Sequence, residues 1–257
     1  MKILKGKQTS SVRRVMLYGV HGVGKSTWAA QAPDCLFLNV EDGLSDIECD
    51  SSEQITSLAD FMQALEWVAA GDHSYKWLAI DTLDHLEQLI WNHLADMDGV
   101  ESIADIGFGK GFKRALKLWS EIQKALDYIR KTLGCGTIAL AHAAVKRFDS
   151  PEMDAYDRYQ PALHESASAL WQEWSDEVLF ASYRTFVRKE EQGFGKERAI
   201  GVGDGERYLR TRETAAVVAK NRLDLPAEIA CEWSAYASHL GNIAGVVKDG
   251  SSKRKPR

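Results

Sequence analysis

One octapeptide restricts this chain more than anything else in it. Gly19-Val20-His21-Gly22-Val23-Gly24-Lys25-Ser26 meets G-x-x-x-x-G-K-[ST] at every fixed position, and Thr27 follows it. An apolar, β-branched run over residues 12–18 leads in, and residues 27–31 continue in helix formers, so the order is strand, loop, helix. Backbone N–H groups can close around phosphate oxygens only where no Cβ collides, and the helix that follows adds partial positive charge at its N-terminus. In such a loop Lys25 reaches the β- and γ-phosphates and the Ser26 hydroxyl ligates Mg²⁺. ATP and Mg²⁺ are therefore the expected cofactors, with Gly19 through Thr27 as the binding stretch. A glycine-rich turn with a chance lysine would need neither flank.

Further along, strand and helix patterns alternate. Residues 35–40 (CLFLNV) read as a buried strand ending at Glu41-Asp42-Gly43, at the edge where parallel α/β sheets bind ligands. Leu58, Phe61, Met62, Leu65 and Val68 recur at helical spacing until Gly71. Residues 77–80 (WLAI) form a strand before Asp81-Thr82, and Leu83, Leu86, Leu89, Ile90 and Leu94 mark the next helix. Residues 96–111 read as a glycine-bearing loop, followed by a long helix from Phe112 to its stop at Gly134. Residues 136–141 (GTIALA) are the next strand, ending at His142, and residues 143–163 read as a long functional loop with little periodicity. After a short helix around Trp171 come a fifth strand over 177–183, an antiparallel hairpin over 185–189 and 207–212, a strand over 215–220 and a helix over 227–240. The pattern predicts an α/β fold with a mostly parallel central sheet flanked by helices and an antiparallel hairpin extension at the C-terminus.

With 257 residues and 45% hydrophobic content, one large domain is expected: an arm over 1–11, a core over 12–240 and a basic flexible tail over 241–257. Lys and Arg number 32 against 37 Asp and Glu, so a polyanion would have to meet local basic patches. Cys35, Cys49, Cys135 and Cys231 lack metal-ligand spacing and suit a reducing compartment. Nowhere do eighteen apolar residues run together, and residues 1–11 lack an apolar leader core. A soluble, cytoplasmic protein without a membrane partner is the expectation.

Asp81, after four apolar residues, stands where a P-loop enzyme places the carboxylate that holds Mg²⁺; Asp81 or Thr82 also suits a helix cap. Hydrolysis further needs a group that orients or deprotonates water, and Glu41 ends the strand after the P-loop helix. In the P-loop, Glu41 and the LFLNVEDGL segment, the chain resembles the RecA-like ATPases. That resemblance puts Glu41 ahead of Asp42 as general base and His142 in the place of a γ-phosphate sensor. It also makes Lys220 and Arg222 similar to the basic pair that completes a neighbouring subunit's ATP site, so catalysis would fall to Lys25, Glu41, His142, Lys220 and Arg222. A lone core histidine and two surface cations are the plainer alternatives.

The same resemblance implies two nucleic-acid loops. The first holds Phe108, Lys110, Lys113 and Arg114; the second holds Lys146, Arg147, Phe148, Arg158 and Tyr159. Cations neutralise phosphates and aromatic rings stack on bases, although Asp149, Glu152, Asp154 and Asp157 weaken the second loop's field. The chain is similar to a core-only RecA-like ATPase of the sort phages encode for recombination and single-strand annealing, working in the host cytoplasm. Its expected partners are single-stranded DNA, further copies of itself in a ring or filament, and a single-strand-binding protein. A replicative helicase-like or loader ring, or a nucleotide-dependent switch acting on a protein, are the rival readings.

Overall fold

The computed structural model describes residues 12–149, 154–191 and 197–244, with backbone alone at 185–191, 197–204 and 241–244. The expected arm over 1–11, the basic run from Lys253, and the expected loop residues Pro151, Glu152 and Gly193 lie outside these residues.

The first half builds β1 (Arg14–Gly19), α1 (Lys25–Ala30), β2 (Cys35–Asn39), a two-residue β3 (Asp50–Ser51), α2 (Leu58–Ala70), β4 (Trp77–Asp81) and α3 (Leu83–Asp98). A single 3₁₀ turn, Ile103–Asp105, precedes α4 (Lys110–Leu133). Then come β5 (Gly136–Phe148), β6 (Tyr156–Pro161), α5 (Glu165–Trp174), β7 (Glu177–Glu191), β8 (Glu197–Arg210), β9 (Glu228–Ala230) and α6 (Trp233–Ala244). Helix ends follow local chemistry. The Ser57 side chain accepts from the Asp60 N–H at 3.1 Å to start α2, and left-handed glycines at 71, 99 and 134 stop α2, α3 and α4.

The strands lie in the order β3-β2-β4-β5-β1-β7-β8-β9. Pairing is parallel from β3 through β7 and antiparallel for β8 and β9, while β6 pairs antiparallel with the far half of β5. This is the predicted α/β architecture, a mostly parallel sheet with antiparallel strands at its C-terminal end, as in P-loop nucleotide-binding proteins. Alternation assigns the two faces. Met16, Tyr18, Leu78 and Ile80 pack with Phe61, Leu65, Trp119 and Trp171 of the α2–α5 layer. Val15, Leu17, Phe37 and Ala79 pack with Trp28 of α1 and Trp233 and Tyr236 of α6. Registers then fix the site: Gly19 lies beside His142 on one side and Ala181 on the other, and Asn39 lies beside Asp81. A Cβ on Gly19 would come 2.4 Å from the Ala181 carbonyl oxygen, so only glycine passes there.

Several expectations are corrected. Within residues 143–163, β5 runs on past His142 and pairs with β6 from Ala143↔Pro161 to Phe148↔Tyr156. Burial along this hairpin alternates, but Lys146 and Arg158 take the more buried side while Val145 and Tyr159 are exposed, so hydropathy does not mark it in the sequence. The strands expected at 177–183 and 185–189 are one strand, β7. Residues 215–220 form only isolated bridges, Val217 with Tyr159 and Thr214, and Lys220 with Val178. The last helix begins at Trp233 rather than 227, because Glu228–Ala230 pairs with β8 instead. Among the described residues no helix is long and apolar enough to cross a membrane.

Candidate nucleotide site

β1 ends in the glycine loop, and α1 starts at Lys25 after Gly24, which sits at φ 91°. Val23 turns inward to the core and anchors the loop. Lys25 is only 6% exposed, its ammonium 3.5 and 3.4 Å from the carbonyl oxygens of Gly19 and Val20. Burial pushes this ammonium below its ordinary pKa, while Glu41, Asp81 and Asp84 pull the other way.

Opposite the loop, Asp81 is 3% exposed at the end of β4. Burial raises its carboxyl above the usual range, against the hydrogen bond with Ser26 and the Lys25 charge. A buried carboxylate with a hydroxyl beside it forms an all-oxygen donor set that fits Mg²⁺. Glu41 is held to the same strand end. The Val40 and Glu41 N–H groups both donate to the Asp81 carbonyl oxygen, at 2.8 and 2.9 Å. Asp42 takes φ 62° and its N–H donates to Asn39 Oδ1 at 3.1 Å. The turn thus gives Glu41, not Asp42, to the cavity.

His142 sits where β5 passes the loop. Its Nδ1 is 2.7 Å from Asp84 Oδ2, its backbone N–H donates to Asp84 Oδ1 at 2.9 Å, and its Nε2 is 3.5 Å from Glu41 Oε1. Its ring stacks on His21 of the loop with centroids 3.9 Å apart. Burial alone would lift the Asp84 carboxyl, but the two His142 hydrogen bonds and the His142 ring charge hold it below the usual range. A cavity of about 270 Å³ joins these groups, lined among others by Gly24, Lys25, Ser26, Glu41, Asp81 and His142.

Sequence reasoning missed four contributors. Asp84 and His85 read as ordinary first-turn helix residues. Tyr183, whose hydroxyl donates to the Gly22 carbonyl oxygen at 2.7 Å, read as strand. Arg207 lies so close that a Cβ on Gly24 would meet its Nη1 at 2.3 Å. Nothing local marks Tyr183 or Arg207; the β1–β7 pairing brings Tyr183 to the loop and the β7–β8 pairing brings Arg207 after it.

The basic pair is not brought to this cavity. Lys220 Nζ donates to the carbonyl oxygens of Gln172, Glu173 and Ser175 at 2.9, 2.9 and 2.6 Å, closing the C-terminus of α5. Arg222 Nη1 pairs with Asp176 Oδ1 at 3.1 Å. Both stand at the opposite edge of the sheet, where β7 begins.

The expected nucleic-acid residues divide. Phe108 is 99% exposed in the turn before α4, and Lys110 and Lys113 are exposed beside it. Arg114, however, is held by both Asp98 oxygens at 2.7 Å. On the hairpin, Lys146 donates to the Leu163 carbonyl oxygen at 2.5 Å, and Arg158 lies 4.2 Å over the Phe148 ring and pairs with Glu213. Tyr159 stacks on Phe180, whereas Arg147 is exposed beside Asp149. The described residues of the second segment form a braced hairpin rather than the long loop expected.

A family model described as an AAA domain matches residues 11–223. No curated protein matches the sequence. The matched span runs from the start of β1 past α5 to Arg222 and so contains the glycine loop, Glu41, Asp81 and His142. With most of its length covered, the chain belongs to the AAA domain family and carries a P-loop NTPase-like domain.

Proposed function

We propose that this protein is a Mg·ATP hydrolase of the RecA-like kind that binds single-stranded DNA and promotes annealing or strand exchange in phage-type recombination. Lys25 and the loop amides hold the β- and γ-phosphates, while Ser26 and Asp81 hold Mg²⁺, which neutralises charge on the phosphates. Glu41 orients the attacking water and takes its proton. Asp81 is followed by Thr82 rather than a second acid, so the base comes from the end of β2, the place it has in RecA-like ATPases.

The observation that carries this reading is His142. It touches the P-loop through His21, Glu41 directly and α3 through Asp84, and β5 runs on from it into the β5–β6 hairpin. A change at the γ-phosphate thereby reaches the hairpin through one strand. Binding draws on Phe108, Lys110 and Lys113, and on Arg147, whose pairing with Asp149 is fully at the surface, whereas Arg114, Lys146 and Arg158 are held by less exposed contacts. A homo-oligomer would draw on Arg222, whose side chain is 53% exposed, rather than on Lys220.

ATP hydrolysis measured with and without a single-stranded oligonucleotide, over a range of salt, tests the proposal. Stimulation that fades as salt rises is expected, together with pairing of complementary strands and no unwinding. A rate indifferent to DNA and to protein concentration overturns it. The internal pairing of so many cations favours a second reading, a nucleotide switch on a protein partner, which DNA-independent and salt-insensitive hydrolysis would support.

A further inference from the structure

Glu41, His85 and His142 come from three elements: the turn after β2, the first turn of α3, and β5. One ligand-type atom from each lies within 4.8 Å of the other two. Glu41 Oε1 is 3.5 Å from His142 Nε2, and Glu41 Oε2 is 3.7 Å from His85 Nδ1. A tetrahedral ion with bonds of about 2.0–2.1 Å holds its ligands roughly 3.4 Å apart. These two edges need to close by only a few tenths of an ångström.

The donor set is selective. Two imidazoles and one carboxylate suit zinc, cobalt or nickel, whereas magnesium prefers the oxygens of Ser26 and Asp81. Outer support is already present. Asp84 grips both the Nδ1 and the backbone N–H of His142, which sets the ring's orientation and aims Nε2 at Glu41. His85 Nδ1 lies 2.9 Å from Thr82 Oγ1, a hydrogen bond that the ion would replace.

We propose that Glu41, His85 and His142 form a site for a divalent transition ion of the zinc type, separate from the magnesium ligands, whose occupation stops hydrolysis by withdrawing Glu41 from water. Binding of the ion stands on the geometry; inhibition rests on the reading of Glu41 as general base.

The test titrates the full chain, in excess magnesium and without nucleotide, with cobalt(II) followed by its visible d–d absorption. One equivalent should bind and be displaced by zinc. His85→Asn and His85→Ala should weaken it at least tenfold, the scale seen when even an outer-shell partner is lost. Zinc should stop wild-type hydrolysis reversibly by chelator, and the His85 variants should keep their own zinc-free rate when zinc is added. Absence of the cobalt bands in the wild type, or binding unchanged in both variants, overturns the site. Cobalt binding lost in the variants while zinc still inhibits them overturns the inhibitory role. If the wild type hydrolyses no ATP, the functional reading fails, and the cobalt titration still judges the site.

Discussion

The two edges of the central sheet carry similar charges and use them in opposite ways. At the edge where β1 and β7 begin, Arg13 is ion-paired with Glu177, which is fully buried and also accepts from the Tyr236 hydroxyl at 3.1 Å. Arg14 and Arg222 share Asp176, at 2.9 and 3.1 Å. Each of these two acids there is met by a cation. At the other edge Lys25 shares an open cavity with Glu41 and Asp81, while Asp84 beside it is held by His142, so acids outnumber the lysine there. Saturated charge holds a fold together; unsaturated charge, kept in place by its neighbours, is available for binding and chemistry.

The largest expected effects break the unsaturated edge. Lys25→Ala should abolish ATP binding and cut hydrolysis by at least about a hundredfold. Glu41→Gln should lower kcat by roughly 10²–10⁴ while leaving nucleotide affinity near wild type. Steady-state hydrolysis and a fluorescent-nucleotide titration separate the two. A Glu41→Gln protein turning over at the wild-type rate would move the base elsewhere.

Breaking the saturated edge should cost stability and spare chemistry. Glu177→Gln removes the buried carboxylate with which Arg13 is ion-paired, and about 3–5 kcal/mol of unfolding free energy should be lost. Denaturant unfolding measures it. Replacing both partners by apolar residues of similar volume should return most of the loss. A Glu177→Gln protein as stable as wild type would show that this edge is not held by its ion pair.

What the sequence revealed follows the same division. The P-loop, Glu41, Asp81 and His142 were legible because each sits at the end of an apolar strand, and strand ends of a parallel sheet converge on one edge. Asp84 was hidden because an acid in the first turn of a helix is common in its own right. Tyr183 and Arg207 reach the loop only through strand pairing, which periodicity does not encode. The β5–β6 hairpin was misread because its more buried side carries Lys146 and Arg158 and its exposed side Val145 and Tyr159, so its burial pattern has no hydropathy signature. Lys220 and Arg222 are ambiguous in the sequence for a physical reason: a basic pair after an apolar run looks the same whether it serves a neighbour or closes a helix of its own chain.

A smaller effect sharpens the comparison through pH. Glu87 of α3 is 2% exposed, and burial pushes its carboxyl up to about 7, although the His164 N–H donates to it at 2.8 Å. A folded pKa above the unfolded one means that the native state holds the proton longer. Stability from this group is therefore full below the unfolded value of about 4.5 and declines as pH rises toward about 7. Roughly 3 kcal/mol should be lost across that window, and Glu87→Gln should remove the slope. Urea midpoints at pH 5 and pH 8 for both proteins check it, and parallel slopes would place the titration elsewhere.

The smallest effect falls where the two edges are hardest to tell apart. Lys220→Met keeps the aliphatic stem and deletes only the ammonium that three α5 carbonyls share. Loss of a cation at a helix C-terminus costs about 1 kcal/mol, and hydrolysis per nucleotide site should be unchanged. Thermal unfolding and ATPase assays at several protein concentrations measure both. If stability holds while hydrolysis collapses as the protein assembles, Lys220 serves a neighbouring subunit and the saturated edge of one chain completes the unsaturated edge of the next. If stability drops and hydrolysis holds, the ammonium belongs to its own helix, and any cation delivered across an interface has to come from Arg222.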